Sequence, residues 1–86
     1  MCSVLRMDYT FIRKEFAAET RAEMARRRIT QTALASSTGI NRARLQSRLT
    51  GQTSFTVEEL VTVAQALGLD AAELVERVEA RLAFTR

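Results

Sequence analysis

Apolar residues recur along the chain in blocks with helical spacing, each bounded by polar caps or glycines. In the first block Ile12, Phe16, Thr20 and Met24 repeat every four residues, with Phe11 and Ala25 beside them. That spacing predicts a helix capped by Asp8 and running to about Arg28. Four later starts share a second pattern, in which an apolar residue before a polar cap is matched by another inside the first turn, a hydrophobic staple. The pairs are Ile29 and Leu34 around Thr30, Ile40 and Leu45 around Asn41, Phe55 and Leu60 around Thr56, and Leu69 and Leu74 around Asp70. Glu59 and Glu73 stand three residues after Thr56 and Asp70, where each would complete a capping box. Gly39, Gly51 and Gly68 follow the helices as stops. The fourth helix is expected over Val57 to Leu67, burying Leu60, Val61, Ala64 and Leu67. The fifth is expected from Ala71 to about Phe84, with Leu74, Val75, Val78 and Leu82 on one face. Met1 to Met7 carries no strong pattern and is expected to be loosely held.

The stretch from Thr30 to Gly51 is the most informative. It predicts a short helix carrying Leu34, Ala35 and Thr38 inward, a tight turn at Gly39, and a second short helix from Arg42 to Thr50. The second helix has two large apolar residues, Leu45 and Leu49, spaced so that both point inward. At 100° per residue Ala43 and Ser47 lie opposite them, with Arg44, Gln46 and Thr50 beside and Arg42 and Arg48 on the flanks. A helix that packs along one narrow stripe and presents arginines and small polar groups elsewhere suits the DNA major groove.

Charge sharpens this picture. The net charge is only +3, but no acidic residue falls between Glu23 and Glu58, where Arg26, Arg27, Arg28, Arg42, Arg44 and Arg48 all lie. That interval is +6, and the remaining seven basic and ten acidic residues sum to −3. A basic segment coinciding with the helix-turn-helix is the footprint of a phosphate-binding surface. The arginines at 26–28 can equally offset the dipole at the end of the first helix, and the two roles are compatible.

Composition excludes several chemistries. An 86-residue chain is expected to form one small domain with a single core, residues 1–86. Cys2 is the lone cysteine and histidine is absent, which removes a zinc finger, a Ser-His-Asp triad, a Cys-His nucleophile and an internal disulfide. No apolar run approaches the roughly 20 residues that span a bilayer. MCSVLRMDY meets Arg6 and Asp8 before any apolar segment forms, so no signal peptide is expected. A cytoplasmic, nucleoid-associated protein without cofactor, metal, membrane or small-molecule ligand is the expectation.

The joint spacing resembles the helix-turn-helix of the Cro and phage-repressor (XRE-type) family. Gln31 opens the first helix, Ala35 stands where the two helices cross, Gly39 makes the turn and Leu45 faces inward from the second. The match continues through Arg48-Leu49-Thr50-Gly51 and FTVEELVTVAQALGL, from Phe55 to Leu69, and covers roughly Phe16 to Leu74. Members often place a large apolar residue where Arg48 stands, although some carry the Arg-Leu pair. The resemblance implies an all-α, five-helix lambda-repressor-like DNA-binding domain with its helix-turn-helix at 30–51 and a C-terminal helix over 70–84. With the helical geometry it implies that Arg42, Ala43, Arg44, Gln46 and Ser47 face base edges. Arginine can grip guanine with two hydrogen bonds, and Ala43 can touch a thymine methyl. Gln31, Arg48, Thr50, Gln52, Thr53 and Ser54 fall where the family meets the phosphate backbone, and Arg26, Arg27 and Arg28 join that set.

The function so implied is a sequence-specific double-stranded DNA-binding regulator, a Cro-type or short immunity repressor acting by operator occupancy. It is not expected to be an enzyme, and so short a chain leaves no room for a ligand-sensing domain. One short helix reads too few base pairs alone, so a homodimer on a pseudo-palindromic operator is expected, in part formed only on DNA. Val78, Leu82 and Phe84 either supply its contact or pack back on the first helix. The competing reading is an antitoxin-like or other helical protein-interaction module. That would need a partner-binding tail, and few residues follow Phe84.

Overall fold

The computed structural model describes residues 9–85, and the side chains of 10–83. Five helices form: α1 (Tyr9–Arg27), α2 (Gln31–Thr38), α3 (Arg42–Leu49), α4 (Val57–Ala66) and α5 (Ala71–Thr85). No strand occurs among the described residues. The expectations for Met1 to Met7 and for Asp8 as a cap lie outside the described residues, as does that for the side chain of Phe84.

Three of the four later starts form as their side chains predict. The Thr30 hydroxyl accepts from the Ala33 amide at 3.0 Å, and Asn41 Oδ1 accepts from Ala43 and Arg44 at 2.8 and 3.2 Å. Thr56 and Glu59 close a reciprocal box, with bonds of 3.1 and 3.0 Å. The second expected box does not close, because Glu73 turns instead toward Arg77 one helical turn on, at 3.4 Å. The residues of every staple pair belong to the core or lie against it. Ile29, Ile40, Phe55 and Leu60 lie against a core that includes Leu34, Leu45, Leu69 and Leu74.

That core draws on all five helices and is completed by Met24 of α1 with Ala35, Leu49, Val63, Ala64 and Leu67. The buried stripe of α4 follows from Leu60 at steps of three and four, to Val63, Ala64 and Leu67. Val61, expected inside, is 36% exposed, and Val57 is more exposed still. α5 lies along α1, and Ala17, Thr20 and Val78 are buried. Val78 is 1% exposed. The single chain has already taken it out of solvent, which corrects its assignment to a dimer contact; Leu82 is half-buried.

Arginine–glutamate pairs fix α5 to α1. Glu19 and Glu23 of α1 are buried, at 5% and 2% exposure. Arg81 donates to Glu19 at 2.8 Å and to Glu15 at 3.4 Å, and Arg77 donates to Glu23. The bond to Glu19 and the charges of both glutamates hold Arg81 protonated more firmly than usual, against the cost of its burial. Arg77 and Arg81 are thus held by carboxylates of α1. They are engaged within the chain because two glutamates one turn apart on α1 face two arginines one turn apart on α5.

Four helices, α1 to α4, are followed by a left-handed residue, and two of these turns are made differently. Gly51 (φ 81°) follows α3, and the Gln52 amide reaches Ser47 O at 3.0 Å. The backbone here lies so close to α1 that a Cβ would stand 3.0 Å from Lys14 Cγ. After α1 the same turn is made by Arg28 at φ 54°, with Ile29 N bonded to Met24 O at 2.9 Å. A Cβ in that conformation costs on the order of 1 kcal/mol. Opposite outcomes are therefore expected. Arg28→Gly raises the stability read by urea unfolding by about 0.5–1 kcal/mol, and Gly51→Ala lowers it by at least about 1 kcal/mol.

Candidate nucleic-acid interface

α2 and α3 meet through Leu34, Ala35, Leu45 and Leu49, all buried. The turn between them is tight, because Gly39 at φ 76° donates to Ala35 O and Thr38 Oγ1 accepts from the Ile40 amide. With α3 held by one face, Arg42, Ala43, Arg44 and Gln46 stand exposed on the other and Ser47 is half-buried. The Arg44 side chain is 61% exposed. Neither helix carries a carboxylate.

Gln31, Gln46 and Thr50 come together with Arg21, Met24 and Leu49 around a groove of about 340 Å³ between α1, α2 and α3. Thr50 directs its hydroxyl back to Gln46 O at 2.9 Å. Gln52, Thr53 and Ser54 are exposed on the loop that leads into α4.

Arg48 departs from its expected place at phosphate. Its side chain is only 15% exposed. Nε donates to Glu59 Oε1 at 2.9 Å, a second nitrogen to Oε2 at 3.3 Å, and a third to Thr53 Oγ1 at 2.8 Å. All three arms of the guanidinium are used inside the chain, and its charge is matched by a buried carboxylate. Arg26 and Arg27 are also drawn inward in part: Arg26 donates to Glu23 and Arg27 to the same carboxylate at 3.0 Å. Of the three consecutive arginines, only Arg28 has no ion pair among the described residues.

Sequence reasoning missed three residues that hold α3 in place. Arg21 donates to Leu49 O, and Arg13 Nε to Gly51 O at 2.8 Å. Both cations meet the carbonyl end of α3, where its dipole is negative. The third is Glu59, read only as a capping residue. It caps α4 and holds α3 with the same carboxylate. The Arg48 hydrogen bond lowers its pKa most; burial opposes this, and the Thr56 amide and the charges of Arg48 and Arg44 add to the lowering.

α2 and α3, set against each other through buried side chains with polar and cationic side chains of α3 outward, form a helix-turn-helix. The chain belongs to the Cro/C1-type HTH DNA-binding domain family, whose model matches residues 21–80. No curated protein and no solved structure matches it.

Because the folded pKa of Glu59 lies below its unfolded value, its contribution is full at neutral pH and is lost as pH falls through the lowered folded pKa. Glu59→Gln keeps a residue suited to the capping box but removes the charge. The stability difference between wild type and Glu59→Gln, read by urea unfolding, is expected to be largest near pH 7 and to shrink toward pH 3. Arg48→Ala is expected to cost on the order of 2 kcal/mol, because it strands a buried carboxylate.

Proposed function

We propose that this DNA-binding domain is a sequence-specific transcriptional regulator of the Cro or short immunity-repressor type, which represses by occupying its operator. The observation that carries this reading is the outward side of α3, where Arg42, Ala43, Arg44 and Gln46 stand exposed with no carboxylate on α2 or α3. In this reading Arg42 and Arg44 each grip a base edge, Ala43 touches a thymine methyl, and Gln46 and Ser47 line the same groove. Gln31, Thr50, Gln52, Thr53 and Ser54 flank the helix at the phosphates, which position the domain without reading sequence. Arg28 is the best placed of the three consecutive arginines to join them.

One such helix covers only a few base pairs, so two copies bind a pseudo-palindromic site, with half-sites about 34–36 Å apart on one DNA face. With Val78 internal, Leu82 and Phe84 near the end of α5 remain the α5 residues assigned to the contact between copies.

Selection of duplexes from a randomised pool gives the operator and tests the reading. On that operator Arg42→Ala and Arg44→Ala are each expected to cost about 1–3 kcal/mol and to relax preference at one base pair. Affinity is expected to fall steeply with salt, the slope of log K growing by about 0.9 per phosphate neutralised. Salt-independent binding, or equal loss on specific and random DNA for both arginines, would exclude this assignment of the groove-facing side. Two chains are expected per operator, falling to one in Leu82→Asp; a pair that survives that change places the contact elsewhere.

A further inference from the structure

Arg44 and Arg48 lie one turn apart on α3, and a single carboxylate from α4 faces both. Glu59 Oε1 accepts from Arg48 Nε and from the Thr56 amide, at 2.9 and 3.0 Å. Oε2 accepts from Arg48 at 3.3 Å and stands 3.8 Å from an Arg44 guanidinium nitrogen. The carboxylate is thus fixed on three sides by bonds that do not involve Arg44. At 8% exposure it cannot swing out to follow a moving partner.

We infer that Glu59 is a positioning residue for base reading: its fixed charge holds the Arg44 guanidinium to one flank of α3, and so sets which base pair Arg44 addresses. The inference rests on the proposed reading of Arg44 as a base contact. Its physical basis is the difference between the two arginines. Arg48 is locked by three hydrogen bonds and carries the carboxylate's position into α3. Arg44 has no hydrogen bond of its own to Glu59, only the attraction at 3.8 Å, and most of its side chain is in solvent. A long side chain with that much freedom samples many rotamers, and a fixed counter-charge beside it narrows them before DNA arrives. That lowers the ordering cost of binding. The attraction is too weak to withhold the guanidinium from a guanine edge, because a bidentate pair to O6 and N7 is the stronger interaction. Without the charge on Glu59, Arg48 and Arg44 would repel each other along α3, and Arg44 would turn away from its present flank.

The test compares specificity ratios, the affinity for the selected operator divided by that for operators changed at one base pair. Such ratios are insensitive to the fraction of protein folded, so a destabilised variant still reports. Arg44→Ala lowers the ratio at one base pair by at least about fivefold. Glu59→Gln is expected to lower it at that same base pair by about threefold, equivalent to roughly 0.6 kcal/mol for a partly exposed ion pair. In the Arg44→Ala background Glu59→Gln then has no further effect there. Should Arg44→Ala relax one base pair while Glu59→Gln leaves it intact, the positioning role is overturned and the reading of Arg44 stands. Should Glu59→Gln lower all ratios alike, Glu59 acts only through the fold, which also overturns the role. Should Arg44→Ala itself change no ratio, the assignment of Arg44 as a base contact fails.

Discussion

The placement of α3 depends on how its C-terminal half is gripped. Eight residues are too few for a helix to be stable in water, so its form and its direction come from tertiary contacts. Leu45 and Leu49 supply the packing, but a two-leucine stripe leaves the helix free to roll. The roll is restrained by directional bonds at one end, namely Arg48 to Glu59 and Thr53, Arg21 to Leu49 O, and Arg13 to Gly51 O. Gly51 lets that end approach α1 closely enough for the α1 arginines to reach. The N-terminal half, with Arg42, Ala43 and Arg44, needs only the Asn41 cap, and so projects without being covered.

The same residue type serves two purposes in this chain, and burial separates them. Where an arginine meets a buried glutamate of another helix it joins the two, as Arg77 and Arg81 join α5 to α1 and Arg48 joins α3 to α4. Such pairs contribute little net stability over a well-packed apolar contact, yet breaking one leaves a stranded charge, which makes them strong determinants of register. Where no buried carboxylate is within reach, as at Arg42, the guanidinium stays in solvent and is available to a ligand.

Much of this architecture was legible because helix starts and stops are local. Thr30, Asn41 and Thr56 cap with their own side chains, and the staples pack within a turn or two, so neighbouring residues sufficed to place them. What was not legible is non-local. The exposure of Val61 and burial of Val63 depend on which way α4 rolls onto α2 and α5. The burial of Glu19 and Glu23 depends on α5 arriving with Arg77 and Arg81. Arg28 at positive φ gave no sign, since glycine is the usual marker of that turn. Within the site, the outward side of α3 followed from two leucines. The inward turn of Arg48 did not, because a charged residue beside an apolar stripe reads as flank until its partner, eleven residues on, is in view.

That inward turn changes what the basic interval means. Counted along the chain, six arginines without an acidic residue give +6, but Arg26 and Arg27 share Glu23, and Arg48 is matched by Glu59. An arginine already paired within the protein gains less from a phosphate and must compete with its own carboxylate to meet one. Within the interval, the arginines without an ion pair among the described residues are therefore Arg28 and Arg42, with Arg44 held only at 3.8 Å from Glu59. Internal pairing thus lowers the charge that this interval offers to a ligand below the +6 counted along the chain, while Arg42 and the outer part of Arg44 keep theirs.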